Sequence, residues 1–259
     1  MNQNLFATFS QTIRNLNAVE LEGAPSLYEK LTIAKDGALS ICYAPFEYIN
    51  RQARIVIVGI TPGQTQMLNA VREARRQILA GAPDEVVLKA AKATAAFSGA
   101  MRPNLTSLMD CVGLQHWLRI PSCEELFAGA SHLVQTTSAL RNPVFVDGAN
   151  YNGTPNMTRH PLLREHLLSG LGQDAAALPS AVFIPLGDKV AEALRFLADR
   201  GVMRHEQIFD GLPHPSGANG ERIAYFVGNK RREDLSPKTD GVKLDLARRD
   251  LQRRVACLP

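Results

Sequence analysis

Apolar residues repeat along the chain at two spacings, and segments of the two kinds alternate. Short, continuously apolar runs rich in β-branched residues indicate buried strands, and they occur at 53–60, 131–137, 180–187 and 207–214. Apolar residues three or four positions apart indicate helices, here at 3–17, 64–79, 84 to about 97, 105–112 and 188–199. Buried strands that alternate with helices predict an α/β domain with a mostly parallel sheet.

Two further segments have a different character. Residues 38–50 are predicted to be extended, because Pro45 opposes helix formation there. Residues 142–161 contain Pro, Gly and Asn in quick succession and predict a long irregular loop. Loops of that length in a compact domain are usually functional or disordered, and the aromatic residues of this one favour a functional role.

The composition is that of an ordinary globular protein, with 45% apolar and 21% charged residues among 259. No apolar run approaches the roughly 20 residues that a membrane-spanning helix needs, and the first residues do not resemble a signal peptide. We therefore expect a cytoplasmic protein without a membrane partner. The cysteines at 42, 111, 123 and 257 lack metal-ligand spacing, so we expect no metal and no other cofactor.

The formal net charge of +4 is concentrated near the end of the chain. Residues 221–254 contain ten Lys or Arg and six Asp or Glu, which equals the whole net charge. A localised basic surface suits a polyanion such as nucleic acid. For residues 243–255 a solvated amphipathic helix is an equally good interpretation, because charges of both signs alternate between apolar positions.

Two of the predicted strands end in unusual turns that should open on the same edge of the sheet. The first ends in GITPG, where Gly59 and Gly63 allow close approach of a ligand and Pro62 fixes the turn. The fourth ends in HPSG, where His214 is held between two prolines. Ligands bind beyond the carboxyl ends of parallel strands, and a neutral imidazole there can donate a hydrogen bond to a ligand oxygen. Taken alone, His214 is better interpreted as a cap of its own turn, because single histidines are common.

In this order the motifs resemble those of the uracil-DNA glycosylase superfamily. The resemblance is carried by VGITPG at 58–63, FSGAMRPNLTSLMDCVGL at 97–114, VFIPLGDKVAEAL at 182–194 and LPHPSG at 212–217. It implies a three-layer α/β/α sandwich with a central, mostly parallel four-stranded sheet. Residues 1–259 would then be a single glycosylase-like domain, expected as a monomer, with a helical insertion at 64–96 and a basic C-terminal tail at 230–259.

The same resemblance implies a DNA glycosylase, which flips a nucleotide out of DNA and hydrolyses its N-glycosidic bond. His214 would stabilise the negative charge on the departing base, and catalysis would also involve Thr61 and Asp147. The expected base pocket comprises Gly59, Ile60, Pro62, Gly63, Phe97, Thr136, Thr137 and Asn150. The expected DNA contacts are Pro213, Pro215, Ser216, Gly217, Asn219, Arg222, Lys230 and Arg231.

The turn after the first strand departs from the family's pattern at its catalytic position. Thr61 stands where the family has an acidic or amide side chain that positions the attacking water. Threonine is not a base at neutral pH, so another residue would have to assist. Asp147, Asn150 and Asn152 in the long loop are the candidates, although Asp147 is equally typical of a turn in DGAN.

Two more departures concern the choice of base. Thr136 or Thr137 falls near the position where many members carry a base-reading asparagine, and Asn142 lies further on. Gly63 stands where the strictest uracil enzymes have a tyrosine that blocks 5-substituted pyrimidines. These departures favour a pyrimidine with a bulky 5-substituent, such as a hydroxymethylated or glucosylated cytosine in phage DNA, and hence a role in antiphage defence.

Other functions are compatible with the same residues. A broad-specificity uracil or mismatch glycosylase of base-excision repair is close behind, and a non-catalytic DNA-binding protein could keep the pocket without the chemistry. A small-molecule hydrolase that uses Ser216 is disfavoured, because no Gly-x-Ser-x-Gly elbow surrounds that residue.

Overall fold

The computed structural model describes residues 4–94 and 101–259. In these ranges the chain forms twelve α-helices and seven β-strands. The strands are β1 (Thr32–Asp36), β2 (Leu39–Cys42), β3 (Ile55–Gly59), β4 (Val134–Ser138), β5 (Val144–Val146), β6 (Ala149–Asn150) and β7 (Val182–Pro185). The helices are α1 (Leu5–Arg14), α2 (Ala18–Leu21), α3 (Pro25–Lys30), α4 (Gln64–Leu79), α5 (Asp84–Thr94), α6 (Met101–Cys111), α7 (Leu114–Leu118), α8 (Pro161–Ser169), α9 (Leu171–Ala177), α10 (Asp188–Ala198), α11 (Gly220–Phe226) and α12 (Gly241–Ala256).

A parallel sheet of three strands, in the order β4-β3-β7, forms the centre of the fold. The continuous apolar run of β3 is explained by burial on both faces, because residues 55–58 are all fully buried. The prediction of a four-stranded sheet is wrong as stated. The fourth run, 207–214, contributes one parallel bridge between Ile208 and Phe183, and Pro213 and Pro215 further along cannot donate to a ladder.

Helices cover both faces of the parallel sheet, so the arrangement around it is α/β/α. Val56 and Val58 share a core with apolar residues of α8, α9 and α10. Ile55 and Ile57, on the opposite face, share a second core with residues of α6, α7, α11 and α12. The strand alternation therefore divides the sheet into two buried faces.

A second, antiparallel sheet has the strand order β1-β2-β5-β6. Its strands β5 and β6 lie inside residues 142–161, so the prediction of a wholly irregular loop is wrong there. Asp147 and Gly148 connect the two strands with φ angles of 48° and 78°. Two successive positive φ angles are typical of the tight hairpin turns that Asp-Gly favours.

The two helices predicted within 64–96 are present as α4 and α5. The bounds of α4 match the predicted 64–79, and α5 ends at Thr94 within the described residues. These helices share a third core with α1 and with the segment after β2, which contains Tyr43 and Phe46. The two helices are therefore packed against the chain that leads into β3.

The membrane-spanning potential of the helices and the state of the cysteines can be described directly. Among the described residues, no helix combines the length and the apolar character needed to cross a bilayer. The four cysteines are free thiols, of which Cys42 and Cys123 are buried and Cys257 is exposed.

Candidate functional site

A cavity of about 380 Å³ lies where β3, β4 and β7 end at the carboxyl edge of the parallel sheet. We call it the strand-end cavity. Its volume is within the range of about 300–1,000 Å³ that is common for small-molecule sites. Seven residues that the sequence singled out line it, namely Gly59, Ile60, Thr61, Pro62, Thr136, Thr137 and His214.

The surroundings of His214 favour a neutral imidazole that can donate a hydrogen bond. The backbone N–H of Ser216 donates to His214 Nδ1 at 3.2 Å, so this nitrogen acts as an acceptor and the proton of the neutral ring lies on Nε2. Burial lowers the pKa of His214 below its usual value of 6.5. The residue therefore caps its own turn through one nitrogen and lines the cavity with a neutral ring.

The turn that carries His214 is anchored from several sides. Asn104 Nδ2 on α6 donates to the carbonyl of Pro215 at 2.9 Å, and Asn219 Nδ2 donates to Ser216 Oγ at 3.2 Å. Gly187, with φ of 102°, lies beside the ring, since a Cβ at this position would be 3.6 Å from His214 Cδ2. These contacts fix the position of the imidazole relative to the end of β7.

The hydroxyl group of Thr61 connects two chain segments. It donates to the carbonyl of Asn142 at 3.1 Å and accepts from the N–H of Val144 at 3.1 Å. This bridges the GITPG turn to the start of β5. Because its only proton is already donated, the hydroxyl can offer a water molecule one remaining lone pair and no hydrogen.

Gly63 and Asn150 are not among the described residues that line the cavity. A Cβ at position 63 would lie 3.5 Å from Asn150 Nδ2, and Asn150 Oδ1 accepts from the N–H of Gln64 at 3.0 Å. The N–H of Gly63 donates to Gln66 Oε1 at 2.9 Å. The side chain of Asn150 would thus be in ordinary contact with a Cβ at position 63, and Gly63 lies outside the described cavity lining.

The other loop candidates also lie away from the described cavity wall. Asp147 is exposed in the β5–β6 turn, where its positive φ identifies it as a turn residue, so the alternative interpretation of DGAN applies. Asn152 is exposed as well. Phe97 lies outside the described residues, whereas Thr94 and Met101, which precede and follow that gap, line the cavity.

The predicted DNA contacts divide into buried and exposed residues. Pro213 and Pro215 are buried, and this corrects the expectation that they present a surface to DNA. Gly217 and Arg222 are exposed. Arg222 donates to Asn219 Oδ1 at 3.2 Å and to the carbonyl of Lys238 at 3.3 Å, with no carboxylate partner among the described residues.

Many charged side chains of the basic tail form ion pairs. Lys230 Nζ lies 2.8 Å from Glu221 Oε1, and Arg231 pairs with Glu233 and Asp234 at 3.2 and 3.0 Å. Lys230 and the hydroxyl groups of Ser236 and Thr239 hold the pKa of Glu221 far below its usual range. The second half of the tail is the helix α12, which buries Leu251 and Val255 against the fold.

Two basic residues that sequence reasoning missed line the strand-end cavity. Lys92 on α5 is only 7% exposed, and its Nζ donates to the carbonyls of Phe46 and Tyr48 at 3.2 and 2.6 Å. Arg141, after β4, donates to the carbonyl of Gly170 at 2.8 Å. The available signal was Lys92's place on the apolar stripe of α5, four residues after Leu88.

Buried acids accompany these two basic residues. Asp174 is fully buried, its carboxylate lies 2.6 Å from Arg141, and it accepts from Thr137 Oγ1 at 2.6 Å. Burial also raises the pKa of Glu47, whose charge interacts with those of Lys92 and Arg141. This side of the cavity is therefore a buried network of charges, with donors on the residues that line it.

One comparison with known proteins identifies a relative. The chain is 32% identical over 250 residues to the uncharacterized protein YoxB of Bacillus subtilis (strain 168). The matched region covers 95% of this chain and 97% of YoxB. The chain belongs to the YoxB family. No family model matches it, and no solved structure matches it.

The chemistry available to this YoxB-family cavity follows from its lining. His214 provides a neutral donor on one side, and Lys92 and Arg141 provide charged donors in the same cavity. Among the described residues, no group of three or more His, Cys, Asp or Glu side chains is placed to hold a metal ion. The described side chains are suited to stabilising negative charge on a bound ligand.

Proposed function

We propose that the protein is a DNA glycosylase, which turns a damaged or modified pyrimidine nucleotide into the strand-end cavity and hydrolyses its N-glycosidic bond. The observation that carries the proposal is the neutral ring of His214 in the same cavity as the backbone of GITPG. The uracil-DNA glycosylase-like fold belongs to the same proposal. It is supported by the parallel sheet, with helices on both faces and both motifs at its carboxyl edge.

In the proposed reaction the bond between C1′ of the sugar and N1 of the base breaks, and its electron pair leaves with the base. Negative charge then develops on the O2 atom of the pyrimidine, where the Nε2–H of His214 donates a hydrogen bond. A water molecule supplies the oxygen that bonds to C1′, and its proton is released. A single positioned donor of this kind contributes about 10²–10³-fold to the rate in well-studied enzymes.

The hydroxyl of Thr61 has a limited part in this scheme. Its proton is committed to the carbonyl of Asn142, so it can orient a water molecule by accepting from it but cannot remove the proton. The reaction therefore depends mainly on departure of the base, which His214 assists, and less on activation of the nucleophile.

The proposed substrate is a pyrimidine with a 5-substituent, such as hydroxymethylated or glucosylated cytosine in phage DNA, with antiphage defence as the role. The support from Gly63 is weak, because this glycine does not line the described cavity. The cavity volume of about 380 Å³ is the main support, since it leaves room for a substituent. Uracil is the alternative substrate, with base-excision repair as the role.

The test is release of a base from DNA that contains uracil, 5-hydroxymethylcytosine or glucosylated 5-hydroxymethylcytosine. Base release leaves abasic sites, which alkali converts to strand breaks. We expect cleavage with at least one substrate, a loss of about 10²–10³-fold in His214→Ala, and unchanged activity in His132→Ala, whose side chain is exposed. Binding of His214→Ala to DNA should keep its dependence on salt.

A non-catalytic DNA-binding protein is the second candidate, favoured by one observation. The catalytic position of the turn holds Thr61, whose hydroxyl bridges Asn142 and Val144. This candidate predicts no abasic sites from any of the substrates, with DNA binding unchanged in His214→Ala. That outcome would contradict the glycosylase proposal.

A further inference from the structure

The strand-end cavity has two chemically different flanks because of the strand order. The sheet runs β4-β3-β7, and the segment at Ile208 adds to the outer edge of β7. Arg141 follows β4, whereas His214 follows the Ile208 segment. Neighbouring strands are about 4.8 Å apart, so these residues reach the cavity from opposite sides of β3.

On the flank opposite His214, the charged residues that line the cavity are Lys92 and Arg141, and they carry only hydrogen-bond donors. A protonated lysine has three donors and no acceptor, and two of the donors of Lys92 are used by the carbonyls of Phe46 and Tyr48. Arginine is also donor-only. The side chain of Arg141 is only 11% exposed. Its Nε atom is buried and has no hydrogen-bond partner within the described ranges.

We propose that Lys92 and Arg141 form a subsite for an oxygen atom of the ligand, on the cavity flank opposite His214. The inference deepens the proposed function and rests on its claim that a nucleotide base enters this cavity. The oxygen is either the exocyclic O4 of the ring or an oxygen of a 5-substituent. A base that turned only an amino group to this flank would place its N–H donors against those of Lys92 and Arg141. The buried donors of these two residues would then remain unpaired.

The protonation of Lys92 gives the subsite a pH dependence. Burial, together with the charge of Arg141, lowers the pKa of Lys92 to about 8, and the charges of Asp174 and Glu47 oppose the shift. These charged groups face Lys92 from three segments. Asp174 lies on α9, Arg141 in the chain after β4, and Glu47 in the chain before β3. Because the ligand oxygen needs the protonated amine, its binding should weaken as pH rises through about 8, while His214 stays neutral over that range.

Three DNA probes separate binding from base release. Each duplex carries one 2′-fluoroarabino nucleotide, whose fluorine slows departure of the base. The base is uracil, with oxygen at position 4, or cytosine, with no oxygen at position 4 or 5, or 5-hydroxymethylcytosine, with oxygen on the 5-substituent. We expect the cytosine probe to bind weakest, by about tenfold relative to at least one other probe, which is the size expected for a hydrogen bond to a charged group. Whichever of the other two binds tighter identifies the source of the oxygen.

Variants and pH assign the preference to Lys92. Lys92→Met keeps most of the side-chain length and should abolish the preference, whereas Lys89→Met, on the exposed side of the same helix, should retain it. In the wild-type protein the preference should decline between pH 7 and pH 9.5. If Lys92→Met does not fold, as circular dichroism would reveal, the wild-type pH series decides.

The inference is overturned if the wild-type protein binds all three probes equally, if the preference does not change with pH, or if folded Lys92→Met retains it. Its failure differs from failure of the proposed function. A protein that discriminates between the probes but releases no base retains the subsite and loses the glycosylase proposal. A protein that releases bases without discriminating between the probes does the reverse.

Discussion

Ion pairs occur in two contrasting environments in this protein, beside the strand-end cavity and along the C-terminal tail. Beside the cavity, Arg141 pairs with Asp174, whose side chain is fully buried. In the tail, Arg253 pairs with Asp250, and these side chains are 76% and 43% exposed. The tail holds the whole formal net charge of the sequence, yet many of its charged side chains form ion pairs.

The difference shows that the number of charges in a segment does not determine the charge available to a ligand. Exposed pairs are screened by water and salt. Buried charges are screened much less, and Lys92 and Arg141 carry donors into a cavity. The two basic residues of the proposed oxygen subsite lie in segments without a basic excess. Three predictions test this contrast, from the largest expected effect to the smallest.

Removing the buried carboxylate should destabilise the protein strongly. Asp174→Ala leaves Arg141 buried without its counter-ion, which typically costs about 3–5 kcal/mol, and it also removes the acceptor of Thr137. Asp250→Ala, the matched change in the tail, should cost about 0–1 kcal/mol. Urea denaturation measures both free energies of unfolding. Equal effects would contradict the contrast between the two regions.

The uncharged bridge at the same sheet edge should have an intermediate effect. Thr61→Val leaves the carbonyl of Asn142 and the N–H of Val144 without their partner, which should cost about 1–3 kcal/mol. Thr8→Val is the control, because its hydroxyl is exposed and, among the described residues, bonds only to the carbonyl of Asn4, at 3.4 Å. Thermal unfolding compares the two variants, and an effect of Thr61→Val no larger than that of the control would show that the bridge is unimportant.

Substitutions in the tail and of Arg222 on α11 should have the smallest effects, and on DNA binding rather than stability. The positive charges of Lys230 and Arg231 are paired with carboxylates. Replacing either residue with alanine should therefore change the slope of log DNA affinity against log salt by much less than about 1. Arg222→Ala should lower the slope of log affinity against log salt by about 1. Affinities measured between low and moderate salt give these slopes. A larger change in slope for Lys230→Ala than for Arg222→Ala would contradict this ranking.

The fold could be predicted from the sequence where the pattern is local. The repeat of apolar residues gives α4 its observed bounds, and the β-branched run gives β3. The rule that parallel strands end at one edge is sufficient to place both GITPG and His214 at one cavity. By contrast, the β5–β6 hairpin is short, and its Asp-Gly signal is embedded in other turn-forming residues.

The missed features depend on contacts between distant parts of the chain. Lys92 is fixed by carbonyl groups 44 and 46 residues earlier, and Arg141 by an acid 33 residues later. Asn150 lies beside Gly63 although 87 positions separate them in the sequence. No local pattern encodes such contacts, so the neighbours of Gly63 and its place outside the described cavity lining could not be predicted from the sequence.

The central claim, that the strand-end cavity releases a base from DNA, is tested most directly by mass spectrometry of the free base. Wild-type protein and His214→Ala are incubated with phage DNA that carries modified cytosines and with uracil-containing DNA, and the small molecules are then analysed. The account predicts one released pyrimidine in the wild-type sample and about 10²-fold less in the variant. No released base from either DNA, or equal release by the two proteins, would contradict it.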